Sequence, residues 1–322
     1  MSGSHDFPVL IPRLQVDFSA RLAVAEANVL LPALLKQVSL TPVPTIDQEL
    51  HRLAPTALLQ VLRAKGVAGE LVFAVPCLLT GKPSLLGYYR LLLGFSQKEF
   101  YKAQHYSLFC RLEQEGVIPE AAKGQIEALC RSLIASAAYL VERVPEVSQD
   151  ILHALTLLTL GSQFRGSYST SIGQAAIDQT FALIRSIVEP SIQRETPRLL
   201  EIRDSAGRLV RVQFASDPDI AIRHVVREAE VNRIAIEIKG GTDYSNIHNR
   251  LGEAEKSHQK AKSQGYTQFW TVVNVLGLDE GLARRESPTT TDFFILDQIL
   301  DPAGVPFRDF RDRVLRELNL PS

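Results

Sequence analysis

The feature that most constrains this chain's fold is the stretch DPDIAIRHVVREAEVNRIAIEIKGGTD, from Asp217 to Asp243. It predicts two β-strands. The first opens on Pro218-Asp219 and runs through Ile220, Ala221 and Ile222. The second is Ile234-Ala235-Ile236-Glu237-Ile238-Lys239, apolar except at Glu237 and Lys239. Side chains alternate across a strand, so Glu237 and Lys239 share one face while Ile236 and Ile238 share the other. Charges at the end of an otherwise buried strand cost free energy unless they bind something. Two carboxylates and a lysine brought to one spot suit a divalent metal and a phosphate. The competing reading is an edge-strand salt bridge between Glu237 and Lys239 on a solvated face. An acid-x-Lys triple arises by chance in a chain with this many acids. The setting is what gives this one weight: it ends a strand, Pro-Asp lies one hairpin upstream, and a Gly-Gly turn and a polar helix follow.

Composition sets the bounds around that core. At 322 residues the chain is long enough for a large core in one or two domains. Apolar residues make up 45% and charged residues 22%, ordinary values for a soluble globular protein. A formal net charge of −1 excludes a histone-like protein that binds DNA by bulk charge. It leaves room for one basic cleft balanced elsewhere. Cys77, Cys110 and Cys130 are far apart and lack CxxC spacing, which predicts a reducing compartment and no structural zinc. The first residues, MSGSHDFPVL, lack a basic region followed by an apolar run. No apolar stretch approaches ~20 residues, so no membrane span is expected and a cytoplasmic location is.

Along the chain, the first half reads as helices. Ala20–Gln37 has helical spacing, with a kink or break at Pro32. Ile46–Arg63 is a second helix ending near Gly66, and Glu120–Val144 is a clean amphipathic one stopped by Pro145. Asp150–Leu160 is apolar enough to be buried. Leu85–Tyr101 interleaves aromatics with Arg90 and Lys98, either as a functional segment or as a core helix with snorkelling cations. Gly161–Ser171, GSQFRGSYSTS, reads as a hydroxyl-rich loop around Gln163 and Arg165, suited to phosphate contacts or simply an interhelical loop.

From Ser171 the pattern changes. A helix runs to Val188 and Pro190 stops it. Strands follow at Leu199–Arg203 and Leu209–Phe214, joined by a turn at Asp204–Gly207. After the two site strands come a helix over Asn246–Ser263 with Gly265 just past its end, a strand at Phe269–Val275, and a further strand at Phe293–Leu296. An amphipathic helix over Phe307–Leu318 closes the pattern. In the Asn246–Ser263 helix, Ile247, Leu251, Ala254, His258 and Ala261 form the packed face. Asn249, Arg250, Glu253, Lys256 and Lys260 lie opposite. Arg250, Lys256 and Lys260 suit phosphates, and Asn249 with Arg250 suits base edges. The alternative is a solvated face on which Glu253 and Glu255 pair with lysines. His248 and His258 fall on different faces with no third ligand, so no zinc site is expected. Gly240-Gly241 lacks the GxGxxG and Walker patterns and reads as a tight strand exit.

Asp219, Glu237 and Lys239 together resemble the active site of the PD-(D/E)xK nuclease superfamily, to which most type II restriction endonucleases belong. The segment Lys239–Lys262, KGGTDYSNIHNRLGEAEKSHQKAK, carries a narrower resemblance, to the XcyI-like type II restriction endonucleases. The likeness is strongest between Pro218 and Trp270. It implies an α/β (α+β) fold: a restriction-endonuclease-like core with a central mixed sheet flanked by helices, preceded by a mainly helical N-terminal region. Residues 171–322 would be the nuclease core, and residues 1–170 would serve DNA recognition, dimerisation or both. Catalytic roles fall to Asp219, Glu237 and Lys239, with Mg²⁺ held by Asp219, Glu237 and the Ile238 carbonyl. Gln163, Arg165, Asn249, Arg250, Lys256 and Lys260 are the expected DNA contacts. The implied substrate is double-stranded DNA cut at a short palindrome; the family's best-known members are taken to cut CCCGGG, leaving 5′ overhangs. One constellation cuts one strand, so symmetric cutting calls for a homodimer. Two other classes stay open: a repair or junction-resolving nuclease on the same core, and a catalytically silent DNA-binding protein.

Overall fold

Alternating apolar residues from Ile192 onward assemble one seven-stranded sheet in the computed structural model, which describes residues 12–102, 106–241, 246–275 and 277–321. The strands are β1 (Ile192–Thr196), β2 (Leu199–Arg203), β3 (Leu209–Phe214), β4 (Ile220–Val226), β5 (Ala229–Lys239), β6 (Gln268–Val273) and β7 (Asp292–Ile295). They lie in sequence order. β1 through β5 form an antiparallel meander, whereas β5–β6 and β6–β7 are parallel, so the sheet is mixed. The parallel steps need crossovers. The helices Ile247–Ser263 and Glu280–Glu286 supply them.

The β2–β3 turn forms where its residues predict. Asp204 is 5% exposed, and its Oδ1 accepts from the Ala206 N–H at 2.9 Å and the Arg208 N–H at 2.7 Å. Gly207 takes φ +76°, which a side chain would disfavour. β1 and the Glu280–Glu286 helix lay outside the sequence expectation; five residues of IQRET offer no alternation strong enough to mark a strand.

The chain divides into two compact units, Met1–Ser167 and Tyr168–Ser322. In the second, one face of the sheet carries Ile220, Ile222, Ile234, Ile236 and Ile238. These pack with Ile184 and Val188 of the Gln149–Val188 helix and with Phe310 and Val314 of the Val305–Glu317 helix. The other face lies against the Ile247–Ser263 helix, whose buried residues are Ile247, Leu251, Ala254, His258 and Ala261, the face its spacing predicts.

The first unit is helical throughout its described residues, and here several expectations change. Residues 161–171 are helix, not loop, within the forty-residue helix Gln149–Val188. Their hydroxyls turn back on their own backbone: Ser162 Oγ donates to the Leu158 carbonyl (3.2 Å), Ser167 to that of Phe164 (3.0 Å) and Ser171 to that of Tyr168 (2.8 Å). Such local bonds satisfy Ser within a helix and remove the phosphate-loop reading. Phe164 adds tertiary support by packing on Phe18 with ring centroids 5.5 Å apart. Asp150–Leu160 is only partly buried: Leu152, Thr156 and Leu160 face inward while Leu158 is 70% exposed.

The second predicted helix is two, Val43–Leu53 and Thr56–Ala64, broken at Pro55. The third is likewise broken by Gly124-Gln125 into Glu120–Lys123 and Ile126–Arg143. The stretch Arg13–Leu40 is, by length and composition, apolar enough to cross a membrane, contrary to the sequence expectation. It is not one helix. The chain breaks at Val29-Leu30 ahead of Pro32, and Ala25, Leu30, Leu31, Ala33 and Leu34 are buried in the unit.

Candidate active site

Register places the two carboxylates. Ile220 of β4 faces Ile236 of β5, so Asp219, one residue before β4, comes opposite Glu237. Directly opposed residues of an antiparallel pair have Cβ atoms roughly 5 Å apart. Lys239 follows two residues on, on the same face. That face is the one covered by the Ile247–Ser263 helix, away from the isoleucine core. Asp219 thus meets Glu237 and Lys239 because one hairpin aligns them and alternation points them the same way.

The local bonds are specific. Asp219 Oδ2 accepts from the Ile238 N–H at 2.7 Å, which locks the entry of β4 to the exit of β5. Lys239 Nζ donates to Glu237 Oε2 at 3.0 Å. This is the salt bridge of the competing reading, but it is not solvated: Glu237 is 3% exposed. Burial pushes its carboxyl up to about 7, against the lowering effect of the Lys239 charge, and the Asp219 carboxyl next to it raises it further. Burial also raises Asp219, opposed by the Ile238 N–H and by Lys239. For Lys239, burial works downward, yet the pull of Glu237 outweighs it and the net shift is upward. Its ammonium therefore stays charged at neutral pH.

A buried carboxyl raised in this way destabilises the fold when it ionises. Its folded value of about 7 lies above the unfolded value near 4.5, so the stability it contributes at low pH is lost as pH rises through 7. Glu237→Gln should match the native protein near pH 4 and exceed it by roughly 2 kcal/mol at pH 8 in the presence of chelator. Denaturant melts at the two pH values check this. A variant less stable at pH 8 would show that Glu237 is a structural ion-pair partner.

The strand exit is tightly built. A Cβ on Gly240 would overlap the Ala176 methyl and stand 3.0 Å from the Ile172 carbonyl, so the backbone approaches this helix too closely for any side chain. Asn274, just past β6, donates its backbone N–H to the Lys239 carbonyl (3.2 Å) and its side-chain amide to the Gly240 carbonyl (3.2 Å). Beside Glu237 in register lies Thr271 of β6. Its hydroxyl joins a buried ladder of His258, Thr290 and Ser287, with contacts of 2.9, 2.9 and 2.7 Å. Burial pushes His258 down to about 4, so its ring is neutral. His248, in contrast, is exposed and lies 3.2 Å from Glu286. Glu255 accepts from Thr289, Ser287 and Gln259 rather than from a lysine.

The six expected DNA contacts divide. Asn249, Lys256 and Lys260 are exposed on the Ile247–Ser263 helix. Lys260 Nζ reaches Asp217 Oδ2 at 2.6 Å, so the Asp217 carboxylate is engaged by a lysine. The half-buried Arg250 guanidinium donates to the Gly241 carbonyl, using one of five N–H groups. Gln163 and Arg165 belong to the first unit; Arg165 is exposed, and Gln163 Oε1 accepts from Arg90 Nη1 at 3.1 Å. Residues 242–245 of the quoted motif lie outside the described residues. Sequence reading missed Asp217's lysine partner, Asn274 and Thr271. Only Asn274 left a trace, as the polar residue that ends the apolar run FWTVV.

Two carboxylates with a backbone carbonyl form a hard, all-oxygen donor set, which fits Mg²⁺ and excludes a zinc site of Cys and His. Among the described residues no group of three or more His, Cys, Asp or Glu side chains is placed to hold a metal. Mg²⁺ takes one or two carboxylates and completes its shell with water and substrate phosphate.

Comparison with known proteins adds an independent line. The family model described as XcyI restriction endonuclease matches residues 19–321. The type II restriction enzyme XcyI of Xanthomonas campestris pv. cyanopsidis is 43% identical over 317 residues, covering 97% of this chain and 95% of that one. The type II restriction enzyme Cfr9I of Citrobacter freundii is 42% identical over 310 residues, covering 94% of each. No solved structure is significantly similar.

Proposed function

This chain belongs to the XcyI restriction endonuclease family, and from that premise we propose that it is a cytoplasmic type II restriction endonuclease. It hydrolyses phosphodiester bonds in both strands of duplex DNA at a short palindrome. The target suggested by the family resemblance is CCCGGG, cut to leave 5′ overhangs. The observation that carries the reading is the desolvated Glu237 facing Asp219, with Lys239 on the same face. A carboxylate kept buried at the expense of stability is what a metal site needs before its metal arrives.

Asp219, Glu237 and the Ile238 carbonyl would hold Mg²⁺, which when bound polarises the phosphoryl oxygen and lowers the pKa of a bound water. Lys239 lies on the same face as the two carboxylates, with its ammonium on Glu237. Its role is a fixed positive charge beside the phosphorus as negative charge gathers there. The Ile238 N–H holds Asp219 in place, and the Asn274 bonds hold the strand exit, so the donors need not reorganise during the reaction.

Lys256, Lys260 and Arg165 are assigned to phosphates, and Asn249, Arg250 and Gln163 to more specific contacts. Among the described residues Arg250 bonds only the Gly241 carbonyl, and it has the fork that matches guanine O6 and N7. Arg250→Ala should weaken binding to the cognate duplex by about 1–3 kcal/mol and relax discrimination at one base pair. Filter binding on cognate and random duplexes checks this. Equal losses on both would reassign Arg250 to the backbone.

Two-strand cutting requires two copies of the site, most simply a homodimer whose two-fold axis coincides with that of the palindrome. Sedimentation on a cognate duplex should give two chains per site. The same protein should cut linear duplex at least as fast as a four-way junction of the same sequence. One chain per duplex with nicking of a single strand, or preference for the junction, would replace this reading with a repair or resolving nuclease.

A further inference from the structure

The first unit contains a cleft of about 790 Å³, within the size range of small-molecule sites. Its floor is a fully buried ion pair that the nuclease reading does not use. Arg90 is 1% exposed; its Nε and Nη2 donate to the two Glu113 oxygens at 2.8 and 2.7 Å. Its Nη1 donates to the Phe95 carbonyl and to Gln163 Oε1. Glu113 also accepts from Gln97 Nε2 at 2.8 Å and from the Tyr101 hydroxyl at 2.6 Å.

Chemistry alone orients the two glutamines. A guanidinium only donates, so Gln163 must turn its oxygen to Arg90; an ionised carboxylate only accepts, so Gln97 must turn its NH₂ to Glu113. The ends left over are complementary: the Gln163 NH₂ is a free donor and the Gln97 oxygen a free acceptor. Neither has a protein partner among the described residues, and both side chains line the cleft. Phe164 lines it too, with the Arg21 guanidinium 5.8 Å from its ring centroid. Both glutamines are anchored on the one buried pair, and a donor and an acceptor lining a cleft that also holds an aromatic ring match a flat heterocycle that carries an acceptor and a donor on one edge.

We propose that this cleft binds a nucleobase, whose edge is read by the Gln163 amide N–H and the Gln97 carbonyl and whose face lies toward Phe164. The base can come from an extrahelical nucleotide of DNA or from a free nucleotide. The first source rests on the nuclease reading; the second does not.

The test uses the full chain and two readouts. Calorimetry with dGMP, dCMP, dAMP and dTMP, and with deoxyribose 5-phosphate as control, should show binding of at least one nucleotide and none of the control. A duplex with 2-aminopurine at successive positions, bound in Ca²⁺, should brighten at one position if the base comes from DNA and stay dark if it does not. Gln163→Glu keeps an acceptor for Arg90 but exchanges the free donor for an acceptor. It should lower affinity for the preferred nucleotide at least about tenfold, as loss of one well-placed hydrogen bond does. Gln97→Met should do likewise, and thermal melts establish that both variants are folded. The proposal is overturned if no nucleotide binds and no position brightens, or if the folded variants behave like the native protein. An enzyme that cuts DNA but shows neither response retains the nuclease reading and loses this one. A protein that binds nucleotides but cuts nothing reverses that outcome.

Discussion

Replacing Glu237 with alanine should lower the rate of DNA cleavage by about three orders of magnitude or more, with binding to the cognate duplex largely intact. The spontaneous reaction is so slow that losing several kcal/mol of transition-state stabilisation takes turnover below detection. Asp219→Ala and Lys239→Ala should behave alike, because all three groups act on the metal and the developing charge rather than on base recognition. Asp217 is the internal control. It flanks Pro218 as Asp219 does, but its carboxylate is engaged by Lys260 at 2.6 Å. Asp217→Ala should therefore cost about tenfold or less, since an exposed lysine–aspartate pair contributes ~1 kcal/mol. Single-turnover cleavage and gel-shift binding on one duplex separate these outcomes. A Glu237→Ala protein cutting at near the native rate, or an Asp217→Ala protein as inert as Asp219→Ala, would contradict the assignment.

Glu113→Ala should be the most destabilising of these substitutions, by about 3–5 kcal/mol, because it leaves the Arg90 guanidinium buried without its counter-charge. The Gln97 amide and the Tyr101 hydroxyl lose their acceptor in the same stroke. Burial alone would push the Glu113 carboxyl up, but the bonds from Arg90, Gln97 and Tyr101 hold it below the usual carboxylate range. A carboxyl lowered in the folded state contributes stability that is present at neutral pH and lost as pH falls through its folded value. Denaturant titration of Glu113→Ala against the native protein should thus show a gap that is widest at neutral pH and narrows in acid. Glu113→Gln should fall between the two, since it restores one acceptor without the charge. A gap below about 1 kcal/mol would mean that water compensates Arg90 and that the pair is not closed from solvent.

How much of this was legible in sequence depends on the range of the determining interactions. The placement of the candidate site was legible because strand alternation is local: Glu237 and Lys239, alternating with Ile236 and Ile238, announce their faces without reference to the rest of the chain. The helix Ile247–Ser263 was legible for the same reason, down to its five buried residues. What failed was long-range. Gly161–Ser171 has the composition of a loop, yet it is helical: its hydroxyls bond carbonyls three or four residues back, and the long-range support comes from Phe164 packing on Phe18. Intrinsic propensity is a weak prior when such support exists.

Arg90 read as part of a functional segment or as a snorkelling cation on a core helix; its guanidinium is instead 1% exposed, because Glu113 lies beside it, twenty-three residues away in sequence. No periodicity encodes that pairing. The Asp217–Lys260 bridge likewise joins residues that sequence spacing does not relate. The breaks at Pro55 and Gly124 were legible in principle, since a proline and a glycine mark them, but the apolar rhythm across them is continuous enough to read as one helix.

The measurement that bears most directly on the central claim is to incubate the purified protein with phage DNA and Mg²⁺, with and without chelator, and to sequence the fragment ends. The expected result is a discrete set of fragments whose ends share one palindrome, with both strands cut to leave 5′ overhangs, and no cleavage once Mg²⁺ is chelated. Ends that share no palindrome, or the same fragments in the presence of chelator, would contradict it.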